Sequence, residues 1–475
     1  MPENDDDLPP LDPTLLRSSA WCGQSASTPI GAEYEQWGDT KVDERGGQQM
    51  LSAKPVDYTK WTDSRVGWGL VLPDVTGDAK DKARALDAPE CIRKLVAERG
   101  KAFPALGGVP VFRYRAELES GLLRRHTLDG KEFDPGFGDR GIGPNRIPWY
   151  LLIIGSPKDI PWRVQYRLQM DAYVGRLDLE LDGLERYVDA LLSDWTGSVV
   201  QRGAPVFWSV DHGGQDITRV MRRTIADKLA REFANDEDHD FDMAEGVLSD
   251  GKATHTDLAN ALCARKPAFV VTTSHGVTLP LDDSKKLAAQ LGLLVDETNA
   301  VLDPGVLTAS WSPYGAIWYA HACCSAGCEA VSSFTGVAKA GSTLADTLAA
   351  LSEVGPATAP LPKRLLGGPA PARAFVGHVE PTFDWTLRDV RNGQTMTAPI
   401  VEAFYNQLHL ATRPPIGYAL FAYHRGIGSL WRDYYSANEA VDENVGSEDP
   451  VRRTKLVASD REAFVLLGDP TVRCG

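Results

Sequence analysis

The chain has 475 residues, a formal net charge of −15, and 43% hydrophobic and 24% charged residues. That length allows two or three ordinary cores, and the composition is globular rather than fibrous or disordered. The excess negative charge excludes a nucleic-acid or anionic-membrane binder working through a basic surface, and no apolar run reaches the ~18–20 residues of a membrane span.

The first residues, MPENDDDLPPLDP, are acidic and proline-rich, the reverse of a secretory signal. The seven cysteines, Cys22, Cys91, Cys263, Cys323, Cys324, Cys328 and Cys474, are odd in number and thinly spread outside one cluster. They do not read as a disulfide framework, so a reducing, cytoplasmic compartment is expected.

Residues 1–55 mix Pro, Asp, Gly, Ser and Gln without periodicity and read as a mobile N-terminal arm. An N-terminal α/β subdomain is expected over 56–200. It opens with a strand at 66–74 and a helix at 89–100, where Cys91, Ile92, Leu95 and Val96 share a face. Residues 101–147 read as loops with short strands. Trp149 to Ile154, cut off by Gly155-Ser156-Pro157, reads as a strand buried on both faces, and a strand and helix follow, the latter with the stripe Leu184, Tyr187, Val188, Leu191 and Leu192. The turn GSPKDI lacks the glycine spacing of a phosphate loop.

A second α/β series fills 201–475. Its expected strands lie at 206–210, near 240–247, and at 268–274, 316–323, 372–380 and 462–469. Its expected helices run from Asp216 to about Phe233, from an N-cap at Thr256, over 284–292, over 342–354 and over 397–410. The Pro/Gly-rich stretch 355–371 reads as a connector, 417–437 as an aromatic-rich region, and the polar stretch 438–457 as a loop. Strands alternating with helices predict an α/β fold, a mainly parallel sheet with helices on both faces. Functional residues in such sheets sit beyond the carboxyl ends of the strands.

Two strand ends carry chemistry. AFVVTTS delivers His275-Gly276, and AIWYAHAC delivers Ala322-Cys323. A cysteine attacks as its thiolate and needs a base, and acyl transfer needs donors for the oxyanion. The N–H groups of Gly276 and of the cysteine itself are candidates. Asp211, at the end of the preceding strand, is a candidate orienter of His275, a role that a backbone carbonyl fills equally.

An apolar block ending in His-Gly, followed 48 residues later (323 − 275 = 48) by one ending in Ala-Cys, resembles the caspase-like (clan CD) cysteine peptidases, whose spacing is about fifty. Within that clan the blocks YLLIIGSPKDIPW, DAYVGRLDLELDGLERYV, AHACCSAG, FVGHVEPTFDW and VLLGDPTVR, in this order, look most like the gingipain family and its bacterial relatives. The resemblance implies a caspase-like catalytic domain over 201–475 and a bacterial thiol endopeptidase with a His–Cys dyad. Cys323 would be the nucleophile and His275 its acid and base, with Cys324 as the alternative nucleophile. The strand after the nucleophile lines the S1 pocket in this clan, which makes Glu380, Asp384 and Trp385 candidate substrate-binding residues; a carboxylate there favours Arg or Lys at P1. Lys363, Arg364 and Arg373 are candidate autoprocessing sites.

The expected partners are a protein or peptide substrate and an activating or inhibitory protein, with no nucleic acid and no membrane. No cofactor is needed for the chemistry, and calcium stands as a candidate structural or activating ion. Two rival readings stay open. His321, Cys323, Cys324 and Cys328 are residue types that bind zinc, and the fold could serve as a catalytically silent scaffold. His212 also follows an apolar strand but is demoted as the base, because 111 residues and a further α/β unit (323 − 212 = 111) separate it from Cys323; His378, on a later strand, reads as an ordinary core or loop histidine.

Overall fold

A computed structural model describes residues 55–116, 123–135, 139–389 and 392–475, so the arm expected at the N-terminus lies, but for its last residue, outside the described residues. Residues 57–475 form one compact unit. Its first strands are β1 (Trp68–Pro73), β2 (Val111–Tyr114), β3 (Leu123–His126), β4 (Glu132–Phe133), β5 (Tyr150–Ile154) and β6 (Tyr173–Leu177). There follow β7 (Val206–Ser209), β8 (Val247–Leu248), β9 (Phe269–Thr273) and β10 (Ile317–His321). A small ladder of β11 (Gly327–Cys328) and β12 (Ala357–Thr358) precedes β13 (Ala374–His378) and β14 (Phe464–Gly468).

Twelve of these form one sheet in the order β4-β3-β2-β1-β5-β6-β14-β13-β10-β9-β7-β8. Pairing is parallel from β2 to β14 and again from β13 to β8, and the two runs meet head to tail at the antiparallel pair β14–β13. The boundary expected near residue 200 therefore falls inside a single sheet, because the last strand of the chain is inserted between β6 and β13. The fold is α/β, with a large, mostly parallel sheet flanked by helices.

The central strands explain their own depth. FVVTT, IWYAH, AFVGH and FVLLG are buried at every position, as expected where helices cover both faces and β-branched and aromatic residues fill the pleats. Each large side chain fully buried there contributes roughly 1.5–3 kcal/mol of transfer free energy.

Several elements differ from the sequence reading. The connector 355–371 contains the helix Pro360–Gly367, because proline at the first helical position lacks only an N–H that needs no partner there. The polar stretch 438–457 is largely helical, formed by the end of Ile427–Asp442 and most of Glu448–Glu462. Thr254, not Thr256, caps the helix His255–Arg265, accepting from the Asp257 N–H, and the strand near 240–247 shrinks to the two residues of β8. The candidate processing sites are structured: Lys363 and Arg364 lie on a helix, with Lys363 paired to Asp178 at 3.0 Å. Arg373 is buried over the Trp195 ring and paired to Asp194 at 2.7 Å.

Candidate active site

β9 and β10 are neighbours and parallel, with Thr273 level with His321. Two residues further on, His275 and Cys323 leave the sheet side by side at the carboxyl edge. Their loops touch through Gly276. A Cβ built there would lie 1.9 Å from the Cys323 carbonyl oxygen and 2.9 Å from its carbon. Only a glycine allows this approach, which sets the His275 loop directly against the Cys323 backbone. The same histidine loop is pinned from behind, since Val295 N–H donates to the His275 carbonyl at 3.0 Å and Val277 N–H to Leu293 at 2.9 Å. Gly292, at φ +66, packs as closely on the Cys324 carbonyl, 2.0 Å from an added Cβ.

The histidine is held by a residue that the strand-end argument did not single out. His275 Nε2 lies 2.9 Å from Asp216 Oδ2, while Asp216 Oδ1 accepts from the N–H and hydroxyl of Thr218 and caps the helix beginning at Ile217. Burial acts to raise the Asp216 pKa, but the hydrogen bonds from Thr218 and His275 outweigh it and hold the carboxyl below its ordinary value. Asp211, the residue expected in this role, instead accepts from Gly213 N–H at 2.8 Å and faces Arg222 at 3.8 Å. The sequence did mark Asp216 as the start of a helix; that its second oxygen reaches His275 follows only from β7 lying beside β9. His212 is also part of this layer, its ring stacked on His275 with centroids 5.6 Å apart.

An orienting carboxylate fixes the imidazole tautomer: with Nε2–H donated to Asp216, Nδ1 carries the lone pair. Asp216→Asn should keep the helix cap, and so the melting temperature, while lowering kcat/KM by about 10²-fold or more through loss of that tautomer control. An unchanged kcat/KM would remove Asp216 from the site.

Cys323 is partly exposed, and its Sγ faces the Thr382 carbonyl at 3.8 Å rather than hydrogen-bonding His275. Loss of hydration around the thiolate pushes its pKa up to about 11, so the thiol is protonated in this state. No carbonyl or carboxylate among the described residues accepts the N–H of Gly276 or of Cys323.

The neighbouring thiols are different. Cys324 adopts φ +55 and is buried with Cys328 among Leu287, Leu291, Ala350 and Leu351. Burial raises its pKa well above the ordinary value and that of Cys328 up to about 12. The alternative nucleophile is thus a core residue, out of reach of a substrate carbonyl without unpacking the cluster.

Of the candidate S1 residues, Glu380 is 2% exposed at φ +72, its carboxylate accepting from Ser333 N–H at 3.1 Å. Burial pushes its pKa up to about 7 against those hydrogen bonds. Asp384 is engaged by Arg388 at 3.0 Å. Trp385 lines a small cavity of about 230 Å³ with Met396, Leu430 and Val457 and packs toward Phe334. Of the two carboxylates, Glu380 is buried and Asp384 is paired.

Behind Cys323 lies a buried polar chain. The Tyr319 hydroxyl meets His321 Nδ1 at 3.0 Å, His321 meets His378 at 3.3 Å, and His378 faces Asp460 at 3.6 Å. Asp460 accepts from Thr382, Phe383 and Thr386, and so fixes the segment whose Thr382 carbonyl meets the thiol. Burial pushes Asp460 up to about 6 and His321 down to about 3. The four proposed zinc ligands therefore separate into this chain, the cleft and the apolar cluster; among the described residues no three His, Cys, Asp or Glu side chains group around a metal-sized site.

Comparison with models of protein families, with curated proteins and with solved structures gives no match. The class that fold and geometry define is an α/β protein with a histidine and a cysteine brought together at the carboxyl edge of a large, mostly parallel sheet. Among the described residues no helix is long and apolar enough to cross a membrane.

Proposed function

We propose that the chain is a cysteine endopeptidase working through His275 and Cys323, of the caspase-like kind that the ordered sequence blocks resemble. The observation that carries this reading is the Gly276 contact, which locks the histidine loop against the Cys323 backbone at the ends of adjacent parallel strands. Cys323 Sγ attacks the scissile carbonyl carbon and its proton passes to His275 Nδ1. The oxyanion is held by the Gly276 and Cys323 N–H groups. His275 returns the proton to the leaving amine, giving the thioester. Water, deprotonated by the same nitrogen, then attacks the thioester, and the proton returns to Cys323 as the acid product leaves.

The protonated thiol and the absence of a His275–Cys323 hydrogen bond support a resting state that a substrate, a protein partner or an ion such as calcium converts to the active one. The same observations favour, as the second reading, a catalytically silent scaffold. A cytoplasmic setting fits free thiols at all six described cysteines.

Fluorogenic peptides under reducing conditions separate the two readings: cleavage that disappears in His275→Ala is expected, and no cleavage of any peptide or protein, with or without calcium, would sink the peptidase. Alkylation of Cys323 by iodoacetamide reports the resting thiol. The thiolate appears as pH rises through the pKa, so the rate should keep climbing towards about pH 11. A plateau near neutrality would instead reveal a preformed thiolate–imidazolium pair.

A further inference from the structure

A surface groove of about 480 Å³ lies on the other arm of the sheet from the dyad. It is built from the helix Glu90–Gly100, the turn after the helix Ala79–Ala83, and the turn that leads into β2, and the β3–β4 turn adds Leu128. β2 stands six places from β10 in the sheet, about 30 Å at the usual strand spacing. The helix is committed on one side only. Cys91, Ile92, Leu95 and Arg99 are buried, and Lys94 pairs with Asp189 on the helix Leu181–Leu192 at 2.8 Å. Arg93, Val96 and Ala97 line the groove instead. Its leucines are uncovered: Leu86 is 45% and Leu128 42% exposed, and so is Leu106 at 46%, in the turn between the lining residues Pro104 and Gly107. A Cβ added at Gly107, φ +76, would meet Leu128 Cδ1 at 3.2 Å, so this glycine turn seats that leucine. Single exposed leucines are ordinary, but several around one concave surface mark a place that a partner covers.

The charge of this groove runs against that of the molecule. On a chain of net charge −15, Arg84, Arg93 and Lys101 line it and no carboxylate does. Lys101 is held by Glu98 at 2.7 Å, but Arg84 and Arg93 have no ion-pair partner among the described residues. Salt screens charges over about 10 Å at 0.1 M, so a group entering the groove meets these cations rather than the distant excess of acids. The lining also excludes a nucleotide base: it offers no aromatic ring for stacking and no side-chain hydroxyl or amide to read one. An aliphatic floor with a guanidinium rim matches leucine side chains flanked by carboxylates.

We propose that this groove docks an acidic, leucine-bearing segment of a partner protein. The leucines pack on Leu86, Val96 and Leu128, and the flanking carboxylates pair with Arg84 and Arg93. The inference does not rest on the peptidase reading, because the groove shares no residue with the dyad and holds equally for a silent scaffold.

A phage library of random sixteen-residue peptides, selected on the full chain and counter-selected on its Arg84→Glu, Arg93→Glu double variant, tests it. The selected peptides should share Asp or Glu residues interleaved with Leu. In fluorescence anisotropy they should bind the wild type and lose about tenfold or more in affinity on charge reversal. Leu86→Ser with Leu128→Ser should weaken the same peptides by a similar factor, while Arg84→Lys with Arg93→Lys keeps the preference for acidic sequences. Binding should also weaken several-fold from about 0.05 M to about 0.5 M NaCl as the rim is screened. Melting temperatures check that each variant is folded; all four side chains are exposed. No selected peptide, selected peptides without acidic residues, or affinity unmoved by charge reversal overturns the proposal. A wild-type dimer in sedimentation that charge reversal dissociates would give the groove to a second copy. Phosphatidylserine vesicles that hold the wild type but not the charge-reversed variant would give it to a membrane surface. Either result overturns the acidic segment as its occupant.

Discussion

Alanine at position 323 is expected to remove peptide cleavage by about 10⁴-fold or more, because no other group at the site can form the acyl intermediate. The fold should hardly notice. Cys323 is partly exposed and its Sγ makes only a long approach to the Thr382 carbonyl, so its truncation should cost under ~1 kcal/mol. Cys324→Ala should give the mirror image. Its thiol fills space between Leu287, Leu291 and Leu351, and deleting it costs the transfer free energy plus a small cavity, roughly 1–2 kcal/mol. Cleavage by that variant should stay within a few-fold of wild type. Equilibrium unfolding in urea and kcat/KM, measured on both variants, distinguish the roles. If Cys324→Ala were inactive and Cys323→Ala active at equal stability, the nucleophile would be the other thiol.

The second large effect is expected from a single methyl group at Gly276. The added Cβ would stand 1.9 Å from the Cys323 carbonyl oxygen and 3.1 Å from its nitrogen. These are backbone atoms, and no rotamer change moves them aside. The loops must separate by more than an ångström, within a packed sheet edge that also carries the hydrogen bonds to Leu293 and Val295. Overpacking of this kind costs about 1–3 kcal/mol and sometimes more. A displacement of about 1 Å between reacting groups costs about 10²-fold in rate, so Gly276→Ala should lose activity even where it remains folded. Gly428→Ala is the control. It lies in the helix Ile427–Asp442 with nothing within 4 Å of the new carbon, and should be neutral or slightly stabilising. Wild-type activity in Gly276→Ala would mean that the two loops are not held by this contact during the reaction.

Much of the candidate site was legible before the fold. Apolar runs of five or more residues marked β9 and β10, and their ends marked His275 and Cys323, because a strand buried on both faces must stop where polar residues begin. The helix start at Asp216 was equally plain. Its partnership with His275 was not, since 59 residues separate them and nothing local distinguishes a cap that also reaches across the sheet. The stretch 438–457 was misread for a different reason. The buried face of Glu448–Glu462 is built from Ser459, Asp460 and Arg461 beside Leu456 and Ala458, so hydrophobic periodicity is weak where buried polar groups carry the packing.

The alternation of apolar and helical segments by itself determined the α/β class, the level at which the strands end, and the two residue types delivered there. Tertiary structure decided the rest. It inserted the last strand into the middle of the sheet, chose Asp216 over Asp211, sent Cys324 and Cys328 into an apolar cluster and left Cys323 at the cleft. The physical reason is that periodicity records which face of an element is buried, whereas hydrogen-bond partners, close backbone contacts and unpaired charges depend on which elements become neighbours. Gly276 shows both sides: the sequence placed a glycine after the histidine, and only the neighbouring strand shows why no larger residue fits.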